Sequence, residues 1–228
     1  MSKINILFFE SLDSTNTYAK QNAKFLPLPS LIIANEQTAG RGRRGNSFFS
    51  PKDTGLYMTL VFEETQSCEL LTPAAATAVC TVLENHGIKP KIKWVNDIFV
   101  DSKKVCGILS ERFVINGKTV IAIGIGINLT TSAFPDELTS AGSINLICDK
   151  IALAKEISDE LLCQISSENI VLEYKKRLFI INKEISFSRN GITHSAKAVD
   201  INESCNLIVK YPDGKLEILS SGEISIKI

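Results

Sequence analysis

An Asn-Gly pair at positions 116–117 separates two apolar runs, KKVCGILSERFV (103–114) and TVIAIGIGINL (119–129). Such a pair between β-rich segments predicts a tight two-residue hairpin, so the runs pair antiparallel. A doubly wound parallel sheet, with a helix after each strand, does not accommodate this. Further strands are predicted at 4–10, 31–36, 54–64 and 91–101, the last turning back at Asp101-Ser102. Helices are predicted at 13–25, with Asp13 or Ser14 as N-cap, and at 72–87, with Thr72 as N-cap, Pro73 at the first position and Gly87 past the end. Residues 130–143 read as a loop, and 149–180 as helical with a break near Ser166-Ser167. Residues 183–228 are short alternating strands punctuated by Asn190-Gly191, Asn202-Glu203 and Asp213-Gly214. So small a module is weakly stable alone. The predicted class is α+β, a mixed or antiparallel sheet with helices over residues 1–180 and a small β unit over 181–228.

Composition excludes several functions. The 25 basic and 25 acidic residues cancel, and the pI is about 6.7, so no global field draws the chain to nucleic acid or to an anionic membrane. The six cysteines include no C-x-x-C pair, which suits reduced thiols better than disulfides or a zinc site. The N-terminus turns acidic at Glu10 without a small-residue cleavage site, and no apolar run approaches a membrane span. These features predict a cytoplasmic protein.

The densest chemistry lies in NEQTAGRGRRGNSFF (35–49). Gly40, Gly42 and Gly45 spell G-x-G-x-x-G, but Pro51, Gly55 and a strand follow, and no helix is there to receive a pyrophosphate. A kinase glycine loop sits between strands, yet the H-R-D and D-F-G signatures are absent. A solvated basic loop or a nucleic-acid patch explains the arginines and leaves the glycines unexplained. Glycines permit close backbone approach to a ligand, and guanidinium forks suit phosphate or carboxylate. Together they describe a loop that folds over a small anion, and the mutual repulsion of its arginines predicts disorder until the anion arrives.

Three further stretches accompany it. In KWVNDIFVDSKKVCGILSE (93–111), a hairpin brings Asn96, Asp97, Lys103 and Lys104 to one edge, where Asp97 could meet Mg²⁺. Taken alone, the stretch reads more simply as an exposed turn with solvated lysines. Gly124 and Gly126 share one strand face, which suits a ligand or merely a tight contact. Ser14, Thr15 and Asn16 offer hydroxyls and an amide near a helix start, where plain N-capping also accounts for them.

In the order DSTN, EQTAGRGRRG, SP…GLYMTL, KWVND, KKVCGILSE, GIGINL and SGEISIKI, the chain resembles the biotin protein ligases along almost its whole length. The resemblance implies a class II synthetase-like biotin/lipoate ligase fold with a C-terminal SH3-like β-barrel. It implies two half-reactions with biotin and ATP as substrates and Mg²⁺ present: formation of biotinyl-5′-AMP, then transfer to a lysine of a biotin carboxyl carrier protein domain. By position, Ser14, Thr15, Asn16 and Gln37 would hold biotin's ureido end, and Gly107, Gly124 and Gly126 would wall its slot. Gly40, Arg41, Gly42 and Arg43 would close over carboxylate and phosphate, with Lys104 at the reacting atoms. Arg44, Phe48, Asn96, Asp97, Asn128 and, more weakly, Lys227 would lie at the nucleotide. Lys104, Arg41, Arg43 and Asp97 are the candidate catalytic set, and Asp97 the candidate metal ligand and general base.

Two positions depart from the family pattern: Val95 stands where K-W-P-N-D has proline, and Phe48 where tryptophan is frequent. The first motif is reached by residue 14, which predicts no N-terminal DNA-binding domain and no nucleic-acid partner. An exposed sheet edge would allow a homodimer. A lipoyl or octanoyl ligase of the same fold, and a nucleic-acid-binding module, are the competing readings.

Overall fold

The computed structural model describes residues 3–64, 70–189, 191–220, 222 and 224–226. A seven-stranded sheet runs in the order β1-β2-β3-β7-β6-β5-β4, from β1 (Asn5–Phe9), β2 (Ser30–Ala34), β3 (Gly55–Glu63), β4 (Lys91–Lys93), β5 (Asp97–Val100), β6 (Lys103–Ile115) and β7 (Lys118–Asn128). Only β1 and β2 pair in parallel, so the sheet is mixed and the α+β class holds. Asn116 and Gly117 both take positive φ (50° and 78°), as the hairpin between β6 and β7 requires.

Because strand side chains alternate between faces, the sheet has two buried sides. Leu31, Ile33, Leu60, Ile121 and Ile123 face the helices α2 (Leu71–Asn85), α3 (Lys150–Ile165) and α4 (Ile170–Arg177). Ile32, Val61 and Ala122 face α1 (Thr15–Asn22), which packs on the other side through Ala19 and Ala23. On that second side two cross-strand rows matter. Tyr57, Gly126, Gly107 and Asp97 form one, and Thr59, Gly124 and Leu109 the next.

Two local predictions need correction. Residues 91–101 are not one strand: Trp94–Asn96 turn the chain, and β4 pairs back on β5 with Lys93 opposite Asp97. Thr72 does not cap α2, which begins at Leu71; the Thr72 hydroxyl instead donates to Ser110 Oγ at 3.0 Å. Ser14 does cap α1, accepting from Thr17 N, and Asp149 caps α3. The predicted break falls between α3 and α4.

The C-terminal residues form an antiparallel sheet, β11-β10-β9-β8-β12, from β8 (Glu184–Arg189), β9 (Ile192–Ile201), β10 (Leu207–Lys210), β11 (Leu216–Leu219) and β12 (Ile224–Ile226). It is tied to the first sheet through the β4–β5 turn. The indole N–H of Trp94 donates to the Cys205 carbonyl, between β9 and β10, at 2.8 Å, and α4 braces the same turn through the Tyr174 hydroxyl, which donates to the Val95 carbonyl at 2.8 Å. Among the described residues no helix is long and apolar enough to cross a membrane.

Candidate active site

A cavity of about 320 Å³ opens on the α1 side of the large sheet. Its floor is the glycine pair Gly107 and Gly126, adjacent on β6 and β7, with Gly124 beyond them. A side chain at Gly124 is impossible without rearrangement: its Cβ would stand 2.0 Å from Asn16 Oδ1.

At that end the polar groups are already satisfied among themselves. Thr15 donates through its main-chain N–H (2.9 Å) and its hydroxyl (3.1 Å) to Gln37 Oε1, and Gln37 Nε2 donates to Ser50 Oγ at 2.9 Å. The buried Thr59 hydroxyl lies 2.8 Å from Thr15 Oγ1 and 2.7 Å from Asn16 Oδ1. It has one hydrogen and so serves one of them at a time.

At the other end stand the cations. A shift of register between β5 and β6 pairs Ile98 with Cys106 but Phe99 with Lys104, passing over the buried Val105. This bulge turns Lys104 onto the cavity face, which strict alternation from Gly107 would deny it. Lys104 Nζ then lies 2.7 Å from Asp97 Oδ1, so the lysine ammonium is the partner of that buried oxygen. Arg43 reaches across to the β4–β5 turn, donating to Asn96 Oδ1 at 3.2 Å, while Asn96 Nδ2 donates to the Ile108 carbonyl at 3.0 Å. Arg41 points away from this end: its Nη1 is 3.6 Å from Glu111 Oε2, the oxygen that also accepts from Asn16 Nδ2.

The glycine-arginine loop is folded rather than disordered. Gly42 N donates to Asn46 O (2.7 Å), Asn46 N to Arg43 O (3.1 Å) and Phe48 N to Gly40 O (2.9 Å), closing a turn in which Arg44 takes φ +55°. Partners for Arg41 and Arg43 relieve the repulsion that the sequence suggested would unfold it.

The cavity thus gathers Ser14, Thr15, Asn16, Gln37, Arg41, Gly42, Arg43, Arg44, Phe48, Asn96, Asp97, Lys104, Gly107, Gly124 and Gly126. Gly40 and Asn128 are not on its wall. Gly40 is buried behind Phe48, whose carbonyl would stand 2.4 Å from a Cβ there, and Asn128 Nδ2 donates to the Gly142 carbonyl at 2.9 Å. Lys227 lies outside the described residues. Phe48, expected at the nucleotide, has its ring over Gly126 and Gly107, packed edge-on to Tyr57 at 6.5 Å between centroids. Burial pushes the Tyr57 hydroxyl up to about 12, keeping it neutral.

Sequence reasoning passed over Thr59 on β3 and Glu111 on β6, which meet Asn16, Ser50 in the segment before β3, which meets Gln37, and Ser140, whose carbonyl accepts from Lys104 N at 2.7 Å. Ile224 and Ser225 of β12 also line the cavity, so the C-terminal sheet contributes a wall. Among the described residues no three His, Cys, Asp or Glu side chains converge to hold a metal. Asp97 is the one described carboxylate on the cavity wall.

A model of the biotin/lipoate A/B protein ligase family matches residues 8–128, more than half of the chain. The chain belongs to that family. A model of the biotin protein ligase C terminal domain matches residues 180–227. Among family relatives, the bifunctional ligase/repressor BirA of Bacillus subtilis is 36% identical over 169 residues, covering 70% of this chain and 52% of that protein. The biotin–[acetyl-CoA-carboxylase] ligase of Paracoccus denitrificans is 33% identical over 124 residues, 51% of each chain. The chain thus spans about half the length of the first of these relatives and of the second. The fold matches biotin protein ligase from Aquifex aeolicus in complex with biotin and ATP, with a TM-score of 0.80, 24% identity and 98% of both chains covered. It also matches the Helicobacter pylori biotin acetyl coenzyme A carboxylase synthetase with bound biotinylated ATP, with a TM-score of 0.72, 22% identity and coverage of 95% and 100%. At such identities the likeness is one of fold.

Proposed function

We propose that this chain activates biotin with ATP as biotinyl-5′-AMP and transfers it to a lysine of a biotin carboxyl carrier domain. The observation that carries this reading is the polarity of the cavity, with a neutral hydrogen-bonding end, a glycine floor and a cationic end in one slot. Biotin has that pattern, with a ureido ring at one end and a carboxylate at the other.

In the first half-reaction a carboxylate oxygen attacks the α-phosphorus of ATP and pyrophosphate leaves. Two anions must meet, so the charges of Arg43 and Lys104, joined by Arg41 once it leaves Glu111, lower the barrier in a site poor in water. In the second, the acceptor amine attacks the acyl carbon and AMP leaves. A lysine amine has a reference pKa of about 10.4, so its proton must be taken up, and Asp97 is the carboxylate at hand. Asp97, the described carboxylate on the cavity wall, would also suit a Mg²⁺ ion held otherwise by phosphate oxygens and water, once Lys104 turns from it to the anion. Such an ion would offset triphosphate charge. Arg44 and Asn96 are assigned to the nucleotide, and Ser14, Thr15, Asn16 and Gln37 to the ureido ring, while the Phe48 ring covers the glycine floor between them. We divide the chain into a ligase unit, 1–180, and a C-terminal unit, 181–228.

Biotin-dependent exchange of pyrophosphate into ATP, with Mg²⁺ and purified protein, tests the first half-reaction without any acceptor. Exchange with biotin and none with lipoate or octanoate is the expected result. Exchange with lipoate alone would move the chain to the lipoyl branch of its family, and none with any acid would remove the ligase reading.

A further inference from the structure

Glu111 touches neither the proposed reaction nor the cavity wall, yet it is the hub of the polar end. It follows Gly107 and Leu109 on the same face of β6, one row beyond Gly124, opposite Ala122. Its side chain is only 17% exposed and meets three partners. Oε2 accepts from Asn16 Nδ2 at 3.0 Å and lies 3.6 Å from Arg41 Nη1, and Oε1 accepts from Lys20 Nζ at 3.0 Å. Burial pushes its carboxyl up, but the hydrogen bonds from Asn16 and Lys20 and the Arg41 and Lys20 charges outweigh that, so its pKa lies below the ordinary value and it stays ionised.

Asn16 has two amide hydrogens. One goes to Glu111 and the other to the Leu109 carbonyl at 3.3 Å. Both donors are therefore spent on β6, and a flip would set the amide oxygen against the Leu109 carbonyl and the Glu111 carboxylate, acceptor against acceptor. Its oxygen is left over Gly124, facing the slot, with capacity to accept one more N–H. The same carboxylate holds the first guanidinium of the anion loop.

We propose that Glu111 is a positioning residue with two coupled tasks. It locks the Asn16 amide so that its oxygen faces a ligand N–H donor, and it tethers the Arg41 loop to the sheet. For the identity of the ligand this rests on the biotin reading; for the loop it does not.

Two variants separate the tasks. Glu111→Gln keeps an acceptor for Asn16 and removes the charge that holds Arg41 and Lys20. Glu111→Ala removes both. In ligand-free protein, amide hydrogen exchange over residues 40–47 should quicken about two- to fivefold in both variants, the scale of a half-exposed ion pair, with β7 unchanged. The biotin Kd should rise roughly tenfold or more in Glu111→Ala and by less than about threefold in Glu111→Gln, because only the former frees Asn16. Loop exchange like that of the wild type in Glu111→Gln, or equal weakening of biotin in both variants, would overturn the proposal. Wild-type protein that binds no biotin would remove the biotin reading and leave the loop exchange to decide Glu111.

Discussion

At one end of the cavity Ser14, Thr15 and Asn16 are 2–4% exposed; Ser14 caps its own helix, and the hydrogen bonds of Thr15 and Asn16 run to Gln37, Thr59 and Glu111 elsewhere in the chain. At the other end the Lys104 side chain is 34% exposed and held by Asp97, and Arg43 reaches Asn96. On the biotin reading, the first end is finished before the ligand arrives and would select by shape and hydrogen-bond pattern. The second keeps its charges within reach of water and would commit them when an anion enters. Substitutions at the two ends should therefore fail differently, the cationic end in rate and the neutral end in affinity.

The sharpest break should come from Lys104→Ala. Losing a preorganised charge at the reacting atoms should cut biotin-dependent pyrophosphate exchange by about 10²–10³-fold, with a much smaller change in biotin affinity by calorimetry. A loss of affinity matching the loss of rate would erase the distinction between the ends. Gly124→Ala should do the converse. Its Cβ falls on Asn16 Oδ1, and overpacking of about 1–3 kcal/mol should weaken biotin roughly 10- to 100-fold while the exchange rate at saturating biotin holds. Thr59→Val, nearly isosteric, strips the donor shared by Thr15 and Asn16. It should lower unfolding free energy by about 1–3 kcal/mol, read from urea midpoints at unchanged slope.

The smallest effect is in pH. The folded-state pKa of Glu111 is depressed below its ordinary 4.5. Its contribution to stability is therefore fully present above that value and lost as pH falls through the folded pKa. Wild type and Glu111→Gln should differ in denaturation midpoint at pH 7 and converge at low pH; a constant difference would show that the charge is irrelevant.

Local signals were enough for much of this architecture. The Asn116-Gly117 pair set the β6–β7 hairpin, and Asp101 and Ser102, both at positive φ, turned β5 into β6 as expected. Signals failed where a partner far along the chain decides the outcome. Trp94–Asn96 read as strand because the residues are apolar or neutral, yet Tyr174 and Cys205, about 80 and 110 residues away, hold that segment as a turn. Thr72 looked like a helix cap and is a tie to Ser110. In the site, glycines and arginines announced themselves by type and spacing. Thr59 and Glu111 did not, since a strand threonine and a strand glutamate are ordinary until the register sets them beside Asn16. The bulge at Val105, which aims Lys104, likewise has no signature in residues 103–107.

The chain's one tryptophan has an optical consequence. Trp94 is 3% exposed, lies on the cavity wall two residues from Asn96, and is pinned to the C-terminal sheet by its indole N–H. Its emission is thus a native reporter, blue-shifted at rest. Nucleotide arrival should quench or shift it, and separation of the two sheets should redden it, so site occupancy and sheet docking can be followed in real time without attaching a dye.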